Sequence, residues 1–429
     1  MKVNTAHLMS PWNLGGVVGI LGISSTFLPP EIYGYYAKEK NYMFFNINAL
    51  FFLIVSITFF CMASYFSYQV FTSIKSRRKE DGIFYIKTTW VSACLAFIML
   101  LLTLYQIYSI NQEVGISLIL SQVNSGGGGE ARQAVSEAIS SSKVGWVSAL
   151  FGYILVYFTW SILNNKSRIN IAIYIFSFVL FLISSSISLS RDTIITTILM
   201  CGVVFITNSI KRKTFKLNFQ IGRLLIAIVL LAIVFFGVDY IRSGGKYSID
   251  VAMTQLVGYF PASYNRMAAI VGGNMQYPDA NWGYYTFQML WDTPVVKPIT
   301  QTIFAVKDSL IPATSYNNWV GQFGAVWAAG LNPKYIWATA FGFAFSDFGY
   351  LAFFFFIFYG IISGYAYAEF GKNRIVFMIL YPLIAVSVLK WWSILYISQR
   401  TTIICILLGI LLSALSFIVK NIKIKRFHL

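Results

Sequence analysis

The stretch Ala49-Leu-Phe-Phe-Leu-Ile-Val-Ser-Ile-Thr-Phe-Phe-Cys-Met-Ala63 carries no charge, and none occurs anywhere between Lys40 and Lys75. A helix needs roughly 20 apolar residues to cross ~30 Å of hydrocarbon, so this stretch alone points to a bilayer. Outward from it, comparable runs recur near 12–36, 46–72, 89–110, 145–164, 169–189, 193–210, 224–240, 337–367, 375–396 and 401–419, each bounded by polar or basic residues. Of 429 residues, 57% are apolar and only 11% charged, against roughly a quarter charged in a soluble domain. No soluble core absorbs that much apolar surface. The expected fold is an all-α polytopic membrane protein of about ten transmembrane helices.

The net charge of +17 raises the question of nucleic acid, and the position of the charges answers it. With the amino terminus inside, the segments around Lys75–Lys87, Lys166–Arg168, Lys211–Arg223, Lys372–Arg374 and Lys420–Arg426 lie on one side. Together with Lys2 they hold 19 of the 32 Lys and Arg, but only Glu80, Asp81 and Glu369 of the 15 acids. That asymmetry is the positive-inside pattern, so both termini are expected in the cytoplasm and no nucleic-acid partner is needed. Met1–Ser10 lacks the charged flank, short apolar core and cleavage site of a secretory signal, so the first span is expected to remain as an anchor. Cys61, Cys94, Cys201 and Cys405 all fall in apolar runs, with no metal-site spacing.

Residues 1–240 thus hold seven expected spans, 241–336 a long outer loop, and 337–429 three more spans with a basic tail. A second outer segment, Asn111–Lys143, is Gly/Ser/Gln-rich before turning helical. Outer loops as long as Arg242–Tyr335 are seldom mere connectors. This one repeats aromatic and apolar residues between prolines, which predicts short amphipathic helices on the membrane surface, roofing a cavity. A loop that simply caps the bundle is the plainer alternative.

Several chemistries are disfavoured. The only histidines, His7 and His428, are terminal, and neither a Gly-rich phosphate loop nor an Asp-x-Asp pair is present. No cofactor or metal is expected. The outer face instead offers cations at or near span ends: Arg191, Arg242, Arg266, Lys390 and Arg400. Each can hold pyrophosphate, Arg bidentately, or merely anchor at headgroups. Asp347 stands at the outer end of the eighth expected span, where an acid is costly unless paired or capping. Ser346 or Asp347 could cap a helix beginning at Phe348. Asp292 and Asp308 lie in the roof, and spacing alone does not choose a base among these three. Tyr284, Tyr285, Trp282 and Trp319 suit sugar stacking and equally an interface.

Three local stretches carry a resemblance. They are Ser188-Leu-Ser-Arg-Asp192 between adjacent spans; Tyr259-Phe-Pro-Ala-Ser263 followed by Gly283-Tyr-Tyr-Thr-Phe287; and Asn332-Pro-Lys-Tyr335 with Ser346-Asp-Phe-Gly-Tyr-Leu351 and Gly360. With the topology, these resemble the Wzy-type polymerases of oligosaccharide repeat units, which build O-antigens and capsules. Ala352 stands where that pattern often has a second Gly. The resemblance implies a metal-independent glycosyltransferase of the bacterial inner membrane, active on the periplasmic face. It would transfer a growing glycan from undecaprenyl pyrophosphate to an incoming lipid-linked repeat unit, alongside a chain-length regulator and a flippase. Arg191, Arg242, Arg266 and Arg400 would share the pyrophosphates, and one acid would activate the acceptor hydroxyl. An O-antigen ligase has the same donor but relies on a loop histidine, which this loop lacks. A lipid-linked oligosaccharide flippase or other transporter would show repeated halves and charges within spans, and neither is apparent. A purely structural membrane subunit is the remaining alternative.

Overall fold

The computed structural model describes residues 7–74, 88–113, 146–164, 166–187, 191–211, 248–278, 283–293 and 315–427, with 115, 280 and 298 as isolated positions. Every regular element among them is helical. The helices are α1 (Pro11–Thr26), α2 (Pro30–Ala37), α3 (Ile47–Ser73), α4 (Thr88–Glu113), α5 (Val147–Asn164), α6 (Arg168–Ile187) and α7 (Arg191–Lys211). There follow α8 (Ile249–Tyr259), α9 (Pro261–Val271), α10 (Gln288–Asp292), α11 (Ser315–Ala328), α12 (Thr339–Phe348), α13 (Ala352–Gly371), α14 (Ile375–Leu389) and α15 (Thr401–Phe427). Among the described residues, six segments are long and apolar enough to cross a membrane: α3 to α7, and α12 with α13 taken together. The protein is therefore a helical membrane protein. Its outward surface agrees, because Ile20, Phe59, Phe66, Phe97, Phe354 and Leu407 are all exposed, and an apolar exterior is what hydrocarbon as solvent selects.

Two expected spans are redrawn, and a third, 337–367, remains one span with a local break. The run 12–36 divides into α1 and α2, which meet at a 97° bend. Pro29 and Pro30 explain the break, since neither donates a backbone N–H and each drives its predecessor out of helical geometry. The run 337–367 is interrupted at Gly349, whose φ of 57° only glycine adopts without strain. A short 3-10 turn, Gly349–Leu351, follows it, and α13 starts with no side-chain cap. No helix begins at Phe348, so neither Ser346 nor Asp347 caps one there. The run 375–396 ends at Leu389, beyond which residues 390–395 turn back towards α12, with the Ala340 amide donating to the Trp391 carbonyl at 2.9 Å. The expected span 224–240 and most of the outer segment 111–143 lie outside the described residues.

Packing follows the small-residue logic of membrane helices, in which close backbone approach replaces hydrophobic collapse. α13 lies along α3 so tightly that a Cβ on Gly364 would sit 2.1 Å from the Ser64 carbonyl oxygen, and one on Gly360 2.6 Å from that of Phe60. Between them Ser67 donates to the Ile361 carbonyl at 2.7 Å. α1 covers the same side of α3, while α4, α5 and α6 meet around Gln106, Ser148 and Ser184. There Ser184 donates to the Gln106 carboxamide oxygen at 2.6 Å and its hydroxyl lies 3.0 Å from that of Ser148. Gly364→Ala is expected to destabilise the fold by about 1–3 kcal/mol through overpacking. Gly202→Ala, whose new methyl meets nothing within 4 Å, should not lower the thermal unfolding temperature of the solubilised protein, since Ala favours a helix interior over Gly.

Candidate functional site

The long-loop segment begins with Ser248, whose hydroxyl caps α8 by accepting from the Val251 amide at 3.3 Å. α9 follows directly, with Pro261 at its first position, where a missing N–H costs nothing. α9 does not lie on a surface as expected of the roof helices: Pro261 to Ile270 are all buried. It packs against α12, α1 and α3. A helix carrying Asn265 and Arg266 can be enclosed only if those groups find partners inside, and they do.

Arg266 is fully enclosed. Its Nη1 and Nη2 donate to Glu39 Oε1 and Oε2 at 3.0 and 2.9 Å, and further to the Ala262 and Asn332 carbonyls, each at 2.8 Å. Glu39 also accepts from the Tyr33 hydroxyl, from the Asn332 amide at 2.7 Å and from Asn265 at 3.2 Å. Asn265 in turn accepts the Tyr42 and Met43 amides at 2.5 and 3.2 Å. One ion pair thus joins the turn before α3, the first half of the loop and its last residues. The described parts of 241–336 are interlocked with the bundle rather than set apart from it. The proposed pyrophosphate role of Arg266 is corrected accordingly, because both Nη groups are committed to Glu39 and carbonyls, with no face left to water.

Asp347 is a clasp. It accepts from the Tyr285 amide at 3.3 Å and from the Thr286 amide and hydroxyl at 2.8 and 2.9 Å. The turn it holds starts at Gly283, whose φ of 81° suits glycine. A carboxylate occupied by three donors has a structural task and is poorly placed as a base. Tyr284 and Tyr285 are buried beneath the turn with Tyr277 and Phe343, and the Tyr285 hydroxyl donates to the Pro278 carbonyl at 2.6 Å. Burial pushes that hydroxyl well above the usual tyrosine range, so it remains a donor. Both rings serve the core of the roof and have no free face for a sugar. Trp319 stays half-exposed against Phe323. Trp282, Arg242 and Asp308 lie outside the described residues, as do the side chains of Arg191 and Asp292.

The remaining cations are differently disposed. Lys390 follows α14 and is enclosed, its Nζ donating to Asp192 at 2.6 Å and Thr196 at 3.0 Å and lying 4.3 Å over the Tyr396 ring. Asp192 itself, in the first turn of α7, keeps 54% of its side chain exposed. A helix N-terminus favours its negative charge. Arg191 opens the same helix. Arg400 is exposed at the start of α15, and α15 packs against α10, whose last residue is Asp292. Trp392, two residues beyond Lys390, contacts Phe260 and Trp337. The Asp192–Lys390 pair therefore sits at the same end of the bundle as the Arg266–Glu39 pair. Among the described residues, no group of three His, Cys, Asp or Glu is arranged to hold a metal ion.

Glu39 and Asp192 escaped the sequence reading. Glu39, between Lys38 and Lys40, reads as solvated, and Asp192 reads as the partner of Arg191 beside it. One signal did exist: Lys390 closes a long apolar run and needs an acid from another helix. No family model, curated protein or solved structure matches this chain.

Glu39→Gln leaves an uncompensated guanidinium in a dry site and is expected to cost about 3–5 kcal/mol. Thermal unfolding of the solubilised protein checks this, and the double change Glu39→Gln with Arg266→Met should recover part of the loss.

Proposed function

We propose that this protein is a lipid-linked oligosaccharide polymerase, joining undecaprenyl-pyrophosphate-linked repeat units into O-antigen or capsular polysaccharide at the periplasmic side of the bacterial inner membrane. The observation that carries this reading is the Asp192–Lys390 pair. An exposed carboxylate is fixed through one oxygen by an enclosed ammonium at 2.6 Å, at a span end where Arg191 opens the same helix.

The chemistry needs two things. The acceptor hydroxyl must lose a proton as it attacks the anomeric carbon, and the breaking bond to lipid pyrophosphate must have its developing charge met. In this reading Asp192 takes the proton, held in orientation by Lys390 and Thr196. Arg191 and the exposed Arg400 meet the pyrophosphate, where fixed guanidinium groups stabilise departing charge without a metal. The lipid tails remain in the bilayer, which explains why such a site belongs at a span end.

Replacing Asp192 by Asn is expected to lower polymerisation by 10²–10⁴-fold, roughly the worth of a general base. Replacing Arg191 by Ala, and separately by Lys, should shorten the glycan ladder in both cases. The deletion strain decides the class. A single repeat on lipopolysaccharide supports a polymerase, no repeat a ligase, and repeat unit trapped on the cytoplasmic lipid face a flippase. A normal ladder from the Asp192→Asn protein removes Asp192 from the mechanism.

A further inference from the structure

At the opposite, basic end of the bundle, an open cleft of about 570 Å³ lies where the ends of α3 and α13 meet the start of α14 and the flank of α15. That volume falls within the roughly 300–1,000 Å³ of small-molecule sites. Phe71, Ile74, Tyr365 and Phe377 give it apolar walls, and its rim carries Glu369, Lys372 and Arg374. A second recess of about 240 Å³ shares Phe71 and Tyr365 with the first and continues along α13 past Ile361 and Ile362. Both isoleucines are exposed. A charged opening therefore leads into an apolar trough on the outward surface of the helices.

The rim charges are already arranged. Glu369 is bound by Lys372 Nζ at 2.6 Å and by Arg374 Nε at 3.3 Å, and Lys372 is steadied by the Phe71 carbonyl at 3.2 Å. Arg374 lines the cleft with its side chain 53% exposed. Two cations against one carboxylate leave the rim positive. The chain adjoining Ile74 continues as Lys75-Ser-Arg-Arg-Lys79, and beyond Ser413 come Lys420, Lys423, Lys425 and Arg426. Guanidinium groups suit phosphate, and basic pockets between spans on the cytoplasmic side are suited to anionic headgroups.

We propose that this cleft binds one anionic phospholipid, with its phosphate on Arg374 and Lys372 and an acyl chain along Phe71, Tyr365, Ile361 and Ile362. A zwitterionic headgroup brings its own ammonium towards the two rim cations, whereas a net negative one meets them without that conflict. The site is independent of the chemistry at the other end of the molecule.

Native mass spectrometry of the full chain, from micelles containing equal phosphatidylglycerol and phosphatidylethanolamine, tests it. One phosphatidylglycerol should be retained per chain in preference to phosphatidylethanolamine. Arg374→Gln should lower phosphatidylglycerol retention about tenfold, the loss of one charge-assisted contact to the phosphate. Lys166→Gln and Arg168→Gln, which change basic residues outside the cleft, should not alter it. Ile361→Gln, which leaves the rim charges in place, should reduce total phosphatidylglycerol retention whatever the stability of the Arg374 variant. Four results overturn the site: equal retention of both lipids, unchanged retention in both cleft variants, an equal fall in the two controls, or a second copy of the chain occupying the cleft in place of lipid.

Discussion

Arg266 and Glu39 hold each other where neither touches water, and the arrangement of the roof follows from that. Such a pair contributes little net stability, because desolvating both charges consumes most of the attraction. It contributes order. Each partner is tolerable only with the other in place, and Glu39 further fixes Tyr33, Asn265 and the Asn332 amide. Three segments distant in sequence are therefore required to assemble together. The 97° bend after α1 belongs to the same arrangement, since it lays α2 against α8 and brings the turn carrying Glu39 to α9.

The two ends of the bundle divide their charges differently. At the basic end Lys372 and Arg374 are partly open and share a single acid. At the other end Arg266 is sealed and Lys390 enclosed, while Asp192 and Arg400 are open. A functional site at that end is thus defined less by how many cations it contains than by which of them retain access to a ligand.

Much of the fold was legible from charge-free runs alone, because hydrocarbon imposes a length and a composition that few other constraints mimic. The runs that became α3 to α7 needed only small adjustments at their ends. What misled was local backbone chemistry inside otherwise apolar runs. The adjacent prolines at 29 and 30 and the left-handed Gly349 interrupt segments whose hydropathy is continuous. The site was less legible. Arg191, Arg266 and Arg400 stood out by position at or near span ends and Asp347 as an acid costly there unless paired, yet Arg266 and Asp347 prove to be partnered inside. Their partners, Glu39 and the Tyr285–Thr286 turn, lie more than 200 and about 60 residues away, and no spacing rule connects them. Tyr284 and Tyr285 were misread for a related reason: an aromatic in a loop cannot declare from sequence alone whether the loop folds over it.

The seam between α3 and α13 carries a mechanical meaning. Helices whose backbones touch through Gly360 and Gly364 cannot slide or rotate past one another without collision, so the two move as one stiff plank. The helices around Gln106, Ser148 and Ser184 meet instead through hydroxyl and amide groups. The two sides of the bundle thus differ in contact type, with close backbone approach at glycines on one and hydrogen-bonded side chains on the other.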